Sequence, residues 1–536
     1  MRKIPVAMAT QHADSASKRV TVKEEVDEAI SSFKKEEYGC DEYLVDYMGK
    51  LTPYHQIGQI VKKVIEETNF KPGIDVFVTP RMVSSFEEEP FRQLMTMLAI
   101  GEGIKYCMDS FGEQGIIEVI QATVTTTEEL RNCKMRIEDL LRLIGKYLKF
   151  SVEKIEMRII PLMGGMAEHL SMEKMLSLFV KDLGVKDYMR VFIGKSEAAL
   201  LYGHMASTLS CKIAISDCKR FEDQLNLKIY PILGCGALPF RGHLTLENSD
   251  NFFEEYRGVQ TYTIQSGLRY DHGPKKTRML IEKIKEAVNK PPIEFDEDER
   301  REIERMIFIF AKNYLFEISE IAEKISLISE YVPNQRERLL DVEEVEYYRE
   351  LRNVESILRL CPDKEVKRSI LGYAYTAFYR PPRWVKFVAS CYTCGLPPEF
   401  IGLGSGLKEI KEIMGEGAVE KILRELYPSL QADIKFISRF LNRNLKSNLL
   451  LTPNILKSID ELENFIELEE PDSSYLILSS LASSYIKDML TGKASKSKKL
   501  AILIGKDTVA EYLNGLSQDN LSKMILDLGK MRKSLA

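Results

Sequence analysis

The chain lacks any hydrophobic run long enough to cross a membrane. Its best candidate, Tyr475–Ile486, is short and interrupted by serines, well under the ~20 consecutive apolar residues a spanning helix requires. The stretch Met1–Ala9 carries Arg2 and Lys3 but too few apolar residues before Gln11 and His12 for a secretory signal. A dominant charge sign is missing as well: 75 basic against 80 acidic side chains leave a formal net charge of −5. Nothing therefore draws the whole protein to nucleic acid or to an anionic membrane, and neither is expected as a partner. An anion would have to be held by a local cluster. Cysteines in pairing patterns are also lacking. Nine are scattered, and Cys391-Tyr-Thr-Cys394 has neither a second CxxC nor a histidine at zinc spacing. Set in the apolar run Phe387–Leu396, that pair reads as core packing. Scattered thiols suit a reducing compartment, so a cytoplasmic protein is expected.

What is present is ordinary globular composition, 44% apolar and 29% charged, in a chain of 536 residues that exceeds one typical domain. The first half alternates short apolar runs with amphipathic stretches. Strands are expected at Tyr43–Asp46, Val76–Thr79, Ile116–Thr123, Met157–Leu162, Met189–Ile193, Lys212–Ser216, Lys228–Leu233 and Gln260–Gln265. Helical patterning fills the gaps, at Phe91–Ile104, Thr127–Leu148, Met172–Leu183 and Glu197–Ser210. Repeated βα units predict an α/β fold, a (β/α)₈ TIM-like barrel. From Asp296 onward the pattern turns helical: Asp296–Tyr331, Val342–Leu360, Lys364–Tyr379, Leu407–Met414, Val419–Asn444, 458–490 and 506–532. The expected division is a barrel over 1–290 carrying the catalytic loops and a large helical part over 291–536 forming subunit contacts. Asn289-Lys-Pro-Pro292 marks the boundary.

Function in parallel barrels collects where strands end. Arg81, Lys195, Glu197, Arg241, Gln265 and Arg269 all stand there. Guanidinium groups bind phosphate and carboxylate bidentately, so this set suits a small phosphorylated acid. The strongest local signal is Gly234-Cys-Gly236-Ala-Leu-Pro-Phe-Arg241-Gly-His243-Leu244. Its glycines let backbone N–H groups approach an anion, and Arg241 adds fixed charge. It is not a phosphate-binding loop of the Gly-Lys-Ser/Thr type, and position 239 is proline where a dinucleotide fingerprint needs glycine. By itself it is either an anion site or a tight turn. His12 lies in the polar stretch Ala9-Thr-Gln-His-Ala-Asp14, and His169, His204 and His272 read as surface or capping residues.

Several segments, taken in order, carry a resemblance: IPVAMATQH, YGCDEYLVDYMGKLTPYHQ, VTPR with PFRQLM, RIIPL, VFIGKSEAALLYG, YPILGCGALPFRGHL, YRGVQTYTIQSGLRYDHG, VPNQRERL and PPRWVKFVASCYTCGLPPEFIG. From residue 4 to about residue 415 the chain resembles the short, archaeal-type phosphoenolpyruvate carboxylases, which also occur in some bacteria. The resemblance implies a lyase using Mg²⁺ or Mn²⁺, with phosphoenolpyruvate and bicarbonate as substrates and oxaloacetate and phosphate as products. It implies a homodimer or homotetramer. His12 would take the proton from carboxyphosphate. Arg81, Arg241, Arg269 and Arg383 would hold phosphate and carboxylate, beside Lys195, Gly236 and Gln265. Glu197 would be the metal ligand.

The chain departs from that pattern at strand ends. Where the family has a glutamate after RIIPL and one apolar residue, this chain has Gly164. Glu197 replaces an aspartate, Lys195 an arginine, and Met48 an acid before Gly-Lys. Glu168 is a further acid within reach by sequence. The alternative reading is a paralogue that keeps the phosphorylated-acid pocket but has lost or changed the metal-dependent carboxylation.

Overall fold

The computed structural model describes residues 3–84, 89–122, 124–288, 290–338, 354–378, 381–491 and 518–536. Eight parallel strands close into a barrel in chain order: β1 (Ala7–Thr10), β2 (Glu42–Asp46), β3 (Phe77–Met82), β4 (Glu118–Gln121), β5 (Arg158–Met163), β6 (Tyr188–Gly194), β7 (Lys228–Gly234) and β8 (Thr261–Ile264). Closure rests on β1 pairing with β8, with Met8 opposite Thr263.

Seven of these strands fall where the apolar runs predicted them. The eighth does not. Lys212–Ser216 is helical, inside His204–Leu225, and the missing strand is β1. The run Lys-Ile-Ala-Ile-Ser is a short apolar, β-branched stretch like a buried strand, but this helix is buried on nearly every side. It lies between the barrel and the helix Glu297–Ser319, so its apolar residues need no single stripe. Burial also corrects the expectation for two histidines. His169 is buried, with Nδ1 3.1 Å from Ser210 Oγ, and His204 is buried with Nε2 3.1 Å from the Tyr427 hydroxyl.

Because strand side chains alternate, residues two apart share the barrel interior. Glu42, Leu44 and Asp46 show the layering. At the bottom, Arg190 donates to both Glu42 oxygens (2.9 and 2.7 Å), to Glu118 Oε2 (2.9 Å) and to Thr261 Oγ1 (3.1 Å). Above it sits an apolar layer of Met8, Leu44, Ile120, Ile160, Leu162, Phe192 and Ile232. The third layer, with Asp46 and Arg81, opens at the mouth.

The second half is helical and packs on the barrel's Lys195–Leu225 side through one large apolar cluster. The acidic start at Asp296 is a capping box with Glu299, opening Glu297–Ser319 and worth about 1 kcal/mol. Three expected helices of this half are divided, as is Glu197–Ser210 in the first half, which ends at Tyr202 and restarts at His204 across Gly203. Asp296–Tyr331 becomes Glu297–Ser319 and Ala322–Ser329. Val419–Asn444 breaks at Tyr427–Ser429, around Pro428, and 458–490 breaks before Ser473, after Pro471. Thr123, Asn289, 342–353, Tyr379 and 506–517, which fall in expected elements or at the expected boundary, lie outside the described residues. Cys391 and Cys394 are buried and free, like the other seven cysteines. No described helix is long and apolar enough to cross a membrane.

Candidate active site at the mouth of the barrel

The C-terminal strand ends and the loops after them enclose a cavity of about 130 Å³. Arg81, the fifth residue of β3, reaches it from the barrel interior. Its Nε donates to Asp46 Oδ1 (2.9 Å) and its Nη2 to Oδ2 (2.6 Å). Burial alone would raise the Asp46 carboxyl. The charge and hydrogen bonds of Arg81, with Arg338 and Lys50, override burial and hold it well below the ordinary range. Asp46 is thus a committed carboxylate.

The loop after β7 carries Arg241. A 3₁₀ turn at Pro239–Arg241 is closed on itself by Gly236 N–H to Arg241 O (2.9 Å) and Leu244 N–H to Gly236 O (2.8 Å). Gly236 is glycine for lack of room: a β-carbon there would sit 3.2 Å from both Arg241 Cβ and Gln265 Oε1. His243 adopts a left-handed φ of 64°, which a non-glycine residue holds only when its surroundings enforce it. The helical half enforces it. The His243 ring hydrogen-bonds Asp433 and stacks on Phe436 at 4.6 Å. Glu399 accepts the Phe240 N–H (2.8 Å).

Held this way, Arg241 is buried with its guanidinium 4.1 Å from the Trp384 ring. It donates to Gln265 Oε1 at 3.3 Å, and its Nε has no hydrogen-bond partner among the described residues. Burial lowers its pKa to about 10, so it stays charged at neutral pH. A buried cation without a bonded carboxylate is costly unless an anion joins it.

His12 also lines the cavity, its Nδ1 2.9 Å from Thr10 Oγ1. Burial first, then the charges of Arg81 and Arg241, lower its pKa well below the usual histidine value. The imidazole is therefore neutral at pH 7 and able to accept a proton. Arg383, just before the helix Trp384–Thr393, and Glu197, in the first turn of Lys195–Tyr202, complete the expected residues that reach the cavity.

The other expected residues stand behind it. Lys195 is buried against Thr208 Oγ1 (2.8 Å), and burial lowers its pKa to about 8. Gln265 and Gly236 support Arg241 as described. Arg269 is buried, donating to Ser32 Oγ (2.9 Å) and the Thr10 carbonyl and pairing with Glu28 (3.0 Å). Glu168 does not line the cavity. Several lining residues were not anticipated: Gln11, Asp46, Arg336, Arg338 and Trp384. Arg336 donates to the His12 carbonyl (3.3 Å) while pairing with Glu25 and Glu28. The signal for both arginines was the segment VPNQRERL, but no strand-end rule reaches a loop more than sixty residues after β8.

Among the described residues no three histidine, cysteine or acidic side chains converge as a metal-ligand set. The acid beside the ends of β5 and β6 is Glu197. A β-carbon built on Gly164 would lie 2.8 Å from Glu197 Oε2, so the carboxylate fills the cradle that glycine leaves. One carboxylate at a cavity wall fits a hard divalent ion that keeps waters and draws further ligands from a phosphate.

The family model for phosphoenolpyruvate carboxylase matches residues 4–536. The chain is 38% identical over 483 residues to the phosphoenolpyruvate carboxylase of Methanosarcina acetivorans, covering 88% of this chain and 91% of that one. For the protein of that name from Methanosarcina barkeri the identity is 39% over 484 residues, with the same coverage. For that of Methanopyrus kandleri it is 35% over 444 residues, covering 81% and 83%. These matches span the barrel, the Arg241 loop and the helical half alike, and the chain belongs to the phosphoenolpyruvate carboxylase family.

Proposed function

We propose that this protein converts phosphoenolpyruvate and bicarbonate to oxaloacetate and phosphate, by way of carboxyphosphate and the enolate of pyruvate. The observation that carries this reading is the buried Arg241, bonded by no carboxylate among the described residues, facing a cavity shared with the neutral His12. Arg81, Arg241 and Arg383 would bind the phosphate and carboxylate of the substrate, with Arg338 at the same wall. A bicarbonate oxygen attacks phosphorus and the bond to the enol oxygen breaks, leaving carboxyphosphate and the enolate. Thr10 engages Nδ1 of His12, so Nε2 takes the proton of carboxyphosphate. That species then falls apart to CO₂ and phosphate, and the enolate methylene carbon attacks CO₂. Arginines fixed before the reaction stabilise charge that moves between oxygens. Trp384, Leu162 and Phe192 line the cavity with apolar surface, which keeps water from protonating the enolate. A divalent cation, Mg²⁺ or Mn²⁺, would be held by Glu197 with substrate oxygens and water, and when bound it neutralises phosphoryl charge. Lys195, Gly236, Gln265 and Arg269 support the substrate-facing groups from behind.

The test is direct: purified protein with phosphoenolpyruvate, bicarbonate and Mg²⁺ or Mn²⁺, coupled to malate dehydrogenase. Bicarbonate-dependent oxidation of NADH is expected. Calorimetric binding of phosphoenolpyruvate without any oxaloacetate would replace this reading by the anion-binding paralogue. The same proposal includes a cytoplasmic homodimer or homotetramer, with residues 1–290 as the barrel that carries the catalytic loops and the helical part adding Arg338 and Arg383 to the cavity wall. Phe91, Leu94, Met95 and Leu98 expose an apolar stripe along Pro90–Phe111, of the kind that subunit contacts cover. Light scattering that gives a monomer would remove that part.

A further inference from the structure

Gly164 is not glycine for its backbone. It is absent from the residues with positive φ, and alanine could adopt its conformation. What requires glycine is space. β5 and β6 run side by side with Met163 opposite Ile193, and the Ala198 N–H donates to the Gly164 carbonyl at 3.1 Å. That bond ties the first turn of Lys195–Tyr202 to the end of β5, so the Glu197 side chain starts from a fixed place. It then lies across Gly164. A β-carbon there would meet Glu197 Oε2 at 2.8 Å, Cβ at 3.6 Å and Cδ at 3.7 Å. Contacts to Cβ and Cδ are ordinary, and the one below 3.0 Å is to the carboxylate tip alone.

We propose that Gly164 and Glu197 are a size-matched pair: the absent β-carbon seats the glutamate carboxylate at the cavity wall, and that seat sets how tightly the site holds a divalent cation. Gly164 is then a positioning residue acting through Glu197. The inference rests on the reading of Glu197 as the cation ligand. It explains why a glycine and a long acid occur together. Shortening the acid alone withdraws the carboxylate from the seat; filling the glycine alone pushes it off. Making both changes moves wall and acid in step and restores the fit.

The probe is Mn²⁺, titrated into the full chain with phosphoenolpyruvate present and bicarbonate excluded, and followed by the electron paramagnetic resonance of the free ion, with melting temperature in parallel. Glu197→Gln should weaken Mn²⁺ binding by about tenfold or more, and Gly164→Ala and Glu197→Asp by about tenfold each. Because the clash in Gly164→Ala is with the end of a flexible side chain, its melting temperature should stay within about 2 °C of the wild type. The double variant Gly164→Ala/Glu197→Asp should bind Mn²⁺ within about threefold of the wild type, a coupling expected of residues in contact and not of distant, independent ones. Losses that multiply in the double variant overturn the pairing, as does full Mn²⁺ affinity in Gly164→Ala. Mn²⁺ binding indifferent to Glu197→Gln overturns the inference too, while bicarbonate-dependent oxaloacetate formation by the same protein would leave the carboxylase reading standing.

Discussion

The barrel buries an arginine at each end, and the two are opposites. Arg190, at the bottom, is held by Glu42, Glu118 and Thr261. Burial alone would lower its pKa, but the two carboxylates raise it above the ordinary arginine value. Arg241, at the mouth, is equally buried and has an aromatic face, one amide oxygen and, among the described residues, no partner for Nε. Its pKa goes down. One charge is answered within the fold; the other is left for something that arrives. A buried charge that is paired reports on structure, and one that is not reports on a ligand.

The largest effect that tests this contrast is kinetic. Arg241→Met should lower kcat/KM for oxaloacetate formation by about 10³-fold. Its melting temperature should hold or rise, because a cation whose folded pKa is depressed opposes folding below that pKa. A variant with full activity would show that the site is elsewhere. Arg190→Met should do the reverse, destabilising the fold by about 3–5 kcal/mol in denaturant titrations. It strands Glu42 and Glu118, so the loss should shrink as pH falls and the buried acids take up protons. If it melts like the wild type, the bottom cluster is not what holds the barrel.

A smaller effect should come from the clamps that hold Arg241 in place. Asp433→Asn loosens His243 in its left-handed conformation and should lower kcat by about tenfold. His243→Gly, which relieves the backbone but removes the anchor, should do the same; recovery in the glycine variant would mean that strain, not anchoring, mattered. Smallest is a pH shift. His12 is depressed, so its basic form persists below pH 6.5 and is lost only as pH falls through its lowered value. The acid limb of kcat/KM should therefore lie below pH 6.5. In kcat it should lie higher, because bound phosphate offsets Arg81 and Arg241. An acid limb at pH 6.5 in both would mean that neither burial nor the arginines depress His12.

Strand ends made much of the site readable beforehand. Arg81, Glu197 and Arg241 follow apolar runs that are indeed strands, and they meet in one cavity. β1 escaped notice because Ala-Met-Ala-Thr is four residues with no alternation and only one β-branched side chain. Lys212–Ser216 misled because a helix buried on all sides shows no period that separates it from a strand. Arg336 and Arg338 were invisible as site residues, since their place on the cavity wall is created by the chain after the barrel folding back over its mouth.

By itself the sequence determined the repeating βα units, the family, and the residue types at the strand ends, because periodicity and side-chain chemistry are local properties. The tertiary structure alone decided which charges are answered and which are left open. Arg190, Arg241, Arg269 and Arg336 are the same residue in sequence. What separates them is whether chain folded in from elsewhere brings a carboxylate within bonding distance before water is excluded, and that is settled only when the barrel closes and the helices cover it.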